Sequence, residues 1–415
     1  MLFFYRLVTN FIFIISPIII IYRIFKKKED PKRFLEKIGK FNKKNTNNNL
    51  IWFHGASVGE ILSIIPLIEK LEKNKNINKI LITSSTLSSS NIFLKFKFKK
   101  TIHQFFPIDS NMLTKKFLSY WKPSIAMFID SEIWPNMIIK IKEKNIPLIL
   151  LNARITKKSF KKWTKILSFS KKIFNEFDLC LSQNDKTCNY LKTLGARNIK
   201  KIGNLKFSQS KQELKKQPSL KIKKILKNKK IIFSAISTHE GEELLCGKVH
   251  SNLKKHYKNI ISIVIPRHVH RAYEIKEELN SNGLKVHLHS LNRPINKNTD
   301  IYMVDTFGET KAFLKLSKIA FMGKSIFAYG GQNPLEAARF GNRIIHGPNI
   351  ENFIEVYDFL KKQGISSKIK SYKDLESLVK KFDRKKNYSQ QIIKKLAYTG
   401  NQILINNEKE INKYF

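Results

Sequence analysis

Leu50-Ile51-Trp52-Phe53-His54-Gly55-Ala56-Ser57-Val58-Gly59-Glu60 passes from an apolar run into a glycine-containing turn and then into a helix-like stretch, Ile61–Glu72. An apolar run with little polar alternation, broken by Gly and followed by helical periodicity, predicts a strand covered on both faces that feeds a helix. The unit recurs outward along the chain. Ile80–Ser84, Ile125–Ile129, Pro147–Leu151 and Leu179–Ser182 read as further strands of the first half, with helix-like Trp134–Lys144 and Asn184–Leu194 among the connections. A polar, Lys-rich stretch, Ser208–Lys230, interrupts the pattern. It restarts with Ile231–Ile236, Ile260–Ile265, Ile301–Val304, Ile319–Met322 and Arg343–His346. Two successive βα series predict an α/β protein of two doubly wound parallel sheets, with substrates bound at the carboxyl ends of the strands in a cleft between the domains.

Composition narrows the field. The 415 residues are 42% hydrophobic and 27% charged, which excludes a disordered chain, a collagen-like chain and a polytopic membrane protein. Lys+Arg minus Asp+Glu is 78 − 32 = +46. Of those 78 cations only 11 are Arg and 67 are Lys, and the Lys goes with abundant Ile and Asn. Part of the charge is therefore a composition bias. The cations are scattered and no RNA-binding or zinc-finger signature occurs, so a dedicated nucleic-acid partner is not expected. A basic protein is still drawn to phosphate-rich ligands and anionic lipid. Cys180, Cys188 and Cys246 form no CxxC, which argues against a disulfide framework or a structural zinc site.

The amino terminus points to a membrane. Leu7–Tyr22 is uncharged and mostly apolar. At 1.5 Å per residue it reaches about 24 Å, short of a ~30 Å hydrocarbon core, so spanning and shallow insertion both stay open. Pro17 is a candidate kink. Arg23, Lys26, Lys27, Lys28, Lys32 and Arg33 follow the run, which places the bulk of the chain on the cytoplasmic side. A cleaved signal peptide competes, but no small-residue cleavage site follows the run.

Four constellations carry chemistry. The first is His54–Glu60, where Glu60 is placed to accept a proton; the plainer reading is an acid favoured at a helix N-terminus. That terminus lowers a carboxylate's pKa, whereas desolvation raises it. The second is Asp130-Ser131-Glu132-Ile133-Trp134-Pro135-Asn136 after a strand; helix capping is its plainer reading. The third pairs Pro266-Arg267-His268 with Asp305-Thr306-Phe307-Gly308-Glu309, where Arg267 suits a phosphate. The fourth is Gly330-Gly331-Gln332-Asn333-Pro334-Leu335-Glu336, a glycine pair leading into a helix whose free N–H groups suit a phosphate and whose Glu336 suits ribose hydroxyls. No metal-ligand cluster and no DxD appears, so neither a metal nor another cofactor is expected.

These motifs, with Asn152-Ala153-Arg154, Gly203-Asn204-Leu205-Lys206-Phe207 and Ser237-Thr238-His239-Glu240-Gly241-Glu242-Glu243, resemble the Kdo transferase family (Kdo is 3-deoxy-D-manno-oct-2-ulosonic acid) in the family's order over roughly residues 30 to 360. The resemblance implies a GT-B glycosyltransferase of two Rossmann-like domains. It would be metal-independent and inverting, and would move Kdo from CMP-Kdo to the lipid A precursor (lipid IVA) at the cytoplasmic face of the inner membrane during lipopolysaccharide synthesis. It implies Glu60 as general base, with Glu132 and Lys206 assisting at the reacting centre. It assigns CMP to Arg267, His268, Phe307, Gly308, Glu309, Asn333, Pro334, Leu335 and Glu336. The implied domains are an anchor at 1–28, an acceptor domain at 29–207, a linker at 208–230 and a CMP-Kdo-binding domain at 231–415, the last helix being a candidate to return to the first domain. Anionic inner-membrane lipid is the expected surface partner. Three departures concern the donor side: Val269-His270-Arg271 where many members have Pro-Glu-Arg, Gln332 where many have His, and Lys324 where a small residue is usual. A GT-B transferase of another nucleotide sugar, and a non-catalytic basic protein binding nucleic acid or membrane, are the alternatives.

Overall fold

The computed structural model describes residues 1–41, 49–208, 226, 230–383 and 388–414. Most of the expected linker, 208–230, lies outside these described residues. The chain forms two compact units, one made of Met1–Leu214 with Thr399–Phe415 and the other of Lys215–Tyr398.

The first unit is built on seven parallel strands: β1 Leu50–His54, β2 Lys79–Ser84, β3 Thr101–Phe105, β4 Ile125–Ile129, β5 Leu148–Ala153, β6 Leu179–Ser182 and β7 Ile199–Lys201. Their order is β3-β2-β1-β4-β5-β6-β7. Every residue of β1 and β4 is buried, as sheet centres covered by helices on both faces require. One face packs Trp52, Phe117, Phe128 and Leu150 into a core; the other packs Phe53, Ile64, Ile82 and Leu151. Ile403, Leu404 and Ile411 of the C-terminal helix Tyr388–Ile411 complete the second core.

The second unit repeats the plan with β8 Lys230–Thr238, β9 Ile260–Pro266, β10 Val286–Leu288, β11 Ile301–Met303, β12 Ile319–Met322, β13 Arg343–His346 and β14 Ser366–Lys368. Their order is β10-β11-β9-β8-β12-β13-β14. Strand order reverses between β1 and β4 in the first sheet and between β8 and β12 in the second. Open α/β sheets bind ligands outside the carboxyl ends of the strands at such a reversal.

The N-terminal helix, Leu2–Phe25, is longer than its uncharged core. Its 24 residues reach about 36 Å, long and apolar enough to cross a membrane by length and composition. It runs through Pro17, whose missing N–H would orphan the carbonyl of Phe13; the Ser16 hydroxyl donates to that carbonyl at 2.7 Å. Thr9, Ser16 and Ile20 are buried against the unit, whereas Phe3, Phe4, Leu7, Phe11, Ile14, Ile18 and Phe25 are exposed. The helix thus turns Thr9, Ser16 and Ile20 inward and most of its large apolar residues outward.

Candidate active site

The reversal point of the first unit is where β1 and β4 end. After β1, Gly55, Ala56 and Ser57 turn the chain into helix Val58–Leu71, with Ser57 as its N-cap. Glu60 closes a capping box with Ser57. One Glu60 oxygen accepts from the Ala56 and Ser57 amides at 2.7 and 3.2 Å, and the other accepts from the Ser57 hydroxyl at 2.8 Å. A Cβ at Gly55 would lie 3.1 Å from Glu60 Cβ, so glycine is what lets the carboxylate fold back over the turn. Burial, then the negative charge of Glu132, push the Glu60 carboxyl up to about 7 against the Ser57 hydroxyl, with Asp130 adding to the rise. One side chain therefore both caps the helix and carries a carboxyl held near neutrality. The opposed effects on its pKa resolve in favour of desolvation.

The turn after β4 brings the opposing acids. Asp130 has φ +57°, a left-handed conformation that costs about 1 kcal/mol or more in a non-glycine residue. Its buried carboxylate accepts from Gln183 Nε2 at 2.6 Å and from Asn152 Nδ2 at 3.3 Å, and lies 3.7 Å from Lys206 Nζ. Asn152 is itself at φ +54° and accepts from the Leu205 amide at 2.9 Å. Four of the motifs read from the sequence meet here: the Glu132 turn, Asn152–Arg154, Gly203–Phe207 and, through its charge, Glu60. Burial raises the pKa of Asp130, with Lys206 and Arg154 opposing.

Glu132 Oε2 accepts from Trp134 Nε1 at 2.8 Å and lies 3.3 Å from His54 Nε2. Burial works to raise its pKa, but His54 and Trp134 outweigh it and the net shift is downward. His54 is the last residue of β1 and fully buried; its Nδ1 is 3.0 Å from the Thr83 hydroxyl and its ring stacks on Phe106 at 3.7 Å. Nothing in the sequence gives His54 a role. Its only signal there is position, at the end of a strand beside Gly55.

The second unit carries the residues expected to hold CMP. Arg267 and His268 follow β9 directly and are exposed. In the turn after β11, Phe307 is 80% exposed, Gly308 has φ +88° and Glu309 lies 2.5 Å from His289. Asn333, Pro334, Leu335 and Glu336 start helix Leu335–Arg339, with the Asn333 side chain accepting from the Leu335 amide at 3.1 Å and Glu336 3.2 Å from Lys311. Sequence reasoning missed the organiser of this side. Glu242 is fully buried, and its carboxylate accepts four amides: His239 at 3.0 Å, Lys324 at 2.7 Å, Ser325 at 2.9 Å and Ile326 at 3.0 Å. It ties the end of β8 to the end of β12 across the reversal point.

Comparison with known proteins decides the family. A family model described as 3-Deoxy-D-manno-octulosonic-acid transferase (kdotransferase) matches residues 32–209. The 3-deoxy-D-manno-octulosonic acid transferase of Rickettsia bellii is 35% identical over 370 residues, 88% of each chain. The chain belongs to the Kdo transferase family. The Haemophilus influenzae member is 29% identical over 76% of this chain and 74% of its own. Among solved structures, the UDP-GlcNAc 2-epimerase of Neisseria meningitidis bound to UDP-GlcNAc shares the fold at TM-score 0.57 and 15% identity, over 88% of this chain and 100% of that one. The GT-B expectation agrees with these likenesses, as does the expectation of a family glycosyltransferase.

Proposed function

We propose that this Kdo transferase moves Kdo from CMP-Kdo to the lipid A precursor with Glu60 as general base. The supporting observation is the Glu60 carboxyl itself: near neutrality, at the carboxyl end of β1, beside a second acid held ionised by His54 and Trp134. A base works best with its pKa near the working pH. The acceptor hydroxyl oxygen attacks the anomeric carbon of Kdo, and Glu60 takes the hydroxyl proton. The bond from that carbon to the phosphate oxygen breaks, and CMP leaves with the electron pair, so the anomeric centre inverts. Glu132 offsets positive charge developing on the sugar, and Lys206, held by Asp130, answers its carboxylate or the acceptor phosphate. In the second unit the Arg267 guanidinium and the amides near Gly308 and Asn333 bind the departing phosphate. CMP-Kdo is the donor and the lipid A precursor the acceptor in this reading.

The exposed apolar face of Leu2–Phe25 supports attachment to a lipid surface, and the cations after it suit anionic headgroups on the cytoplasmic side of the inner membrane. The full chain incubated with CMP-Kdo and lipid A precursor should yield, by mass spectrometry, an acceptor heavier by one or more Kdo units. Turnover with another nucleotide sugar and none with CMP-Kdo would overturn the reading.

A further inference from the structure

The helix that follows Glu132 begins at Pro135 without a cap from its own N-cap residue, Trp134. The missing acceptor comes from far away in sequence. Asp109 accepts the Asn136 amide at 3.0 Å and the Met137 amide at 2.8 Å. Such a carboxylate both satisfies orphan donors and favours the positive end of the helix dipole. Asp109 is in turn held by the N-terminal helix: the Tyr5 hydroxyl donates to the same carboxylate at 2.7 Å. Asn136, fully buried, is gripped on both ends of its amide. Its Nδ2 donates to the Asp109 carbonyl at 2.6 Å and to the Thr9 hydroxyl at 3.2 Å, and its Oδ1 accepts from Arg6 Nε at 3.3 Å.

Arg6 and Thr9 thus meet Asn136 in the first turn of the helix that follows Glu132-Ile133-Trp134, and Tyr5 meets Asp109, the carboxylate that caps that turn. A helix serving only as a tether has no use for two hydrogen bonds to that turn and a third to its cap. Between Asn136 and Glu132 there are three residues, one of them Pro135 with fixed φ and another Trp134, whose indole donates to Glu132. A shift of the first helical turn therefore reaches the Glu132 carboxylate with little slack to absorb it. We propose that Tyr5 and Thr9 are positioning residues of the transfer reaction, holding the Glu132–Trp134 turn in place through Asp109 and Asn136, so that the N-terminal helix is part of the reaction centre's scaffold as well as its attachment. The inference rests on the role proposed above for Glu132.

The test uses the full chain in lipid nanodiscs, labelled with 5-fluorotryptophan at its four Trp residues. The Trp134 fluorine resonance is assigned by its loss in Trp134→Phe. Tyr5→Phe removes the bond to Asp109, Thr9→Val removes the bond from Asn136 together with the local one to the Arg6 carbonyl, and both leave the helix apolar. Each should shift the Trp134 resonance, leave that of Trp163 alone and lower kcat about tenfold with KM for CMP-Kdo unchanged, because small misplacement of a reacting group is costly. Flotation with vesicles should stay as in the parent. Tyr22→Phe, on an exposed site of the same helix, should change none of these. An unmoved Trp134 resonance, or lost turnover that tracks release from vesicles, would overturn the proposal, as would a shifted resonance with full turnover. If the parent transfers no Kdo, the functional reading falls, and the resonance alone decides whether the helix holds the turn.

Discussion

At the scale of the residue, the proposed chemistry turns on how two neighbouring acids are driven apart. Glu60 is pushed up by burial and by Glu132, while His54 and Trp134 hold Glu132 down. A base must be ionised, so kcat should rise with pH through about 7, the value of the Glu60 carboxyl. Glu132→Gln removes the charge that lifts Glu60, so the midpoint of its residual pH profile should move to lower pH; an unmoved midpoint would show that Glu132 does not tune Glu60. The same shift has a cost in stability. With its folded pKa above the unfolded one, Glu60 binds a proton more readily in the folded state, so its contribution is lost as pH rises from the ordinary Glu range through about 7. Glu60→Gln should therefore melt higher than the parent at pH 8 and no higher at pH 4. Gly55→Ala should lower kcat with the fold intact, because the new Cβ would meet Glu60 Cβ at 3.1 Å and Ile129 at 3.0 Å. Glu60 was legible in the sequence because it follows a strand and a glycine turn. The clamp on Glu132 was not: His54, Thr83 and Phe106 converge only once β1, β2 and β3 pair. Asp109 and Tyr5 lie 104 residues apart.

At the scale of the element, the ten strands read from the sequence are all present, and four more were missed. β3, β7, β10 and β14 are the outermost strands of the two sheets. An edge strand lacks a neighbour on one side, so it needs no unbroken apolar run and tolerates charge. Thr101-Ile102-His103-Gln104-Phe105, Ile199-Lys200-Lys201 and Ser366-Ser367-Lys368 accordingly carry no strand signature. Left-handed residues mark the ends of the central strands instead: Asp130, Asn152, Ser237 and Lys324 have φ between +54° and +57°. Such backbone strain clusters where a chain is held for function. It also gives Lys324, a departure from the family pattern, a physical setting: its φ is one a glycine adopts freely, and its amide is fixed by Glu242. Gly323 beside it has no alternative, since a Cβ would lie 2.4 Å from the Ser237 carbonyl and 2.6 Å from Thr238 Cα. Gly323→Ala should destabilise the second unit by about 3 kcal/mol in denaturant unfolding. Gly59→Ala meets nothing within 4 Å and should keep or raise Tm; a raised KM for the acceptor would show that bare backbone is needed there by the ligand.

At the scale of the molecule, each unit carries its own part of the proposed reaction. Glu60, Glu132 and Lys206 belong to the first, and the CMP-binding candidates to the second. The excess of cations, spread along the chain, adds attraction to anionic lipid without naming a substrate. Attachment should weaken with salt yet persist where the apolar face of Leu2–Phe25 inserts; complete release of the full chain from anionic vesicles at 1 M salt would contradict that face's role. The division of labour gives the account its most direct test. Glu60→Gln should bind CMP as the parent does, by calorimetry, because the nucleotide candidates lie in the other unit. In the same preparation, mass spectrometry of lipid A precursor with CMP-Kdo should show transfer reduced at least a thousandfold, on the order of what loss of a general base costs. Unchanged CMP binding with transfer abolished is the predicted result, and near-parental transfer by Glu60→Gln would contradict it.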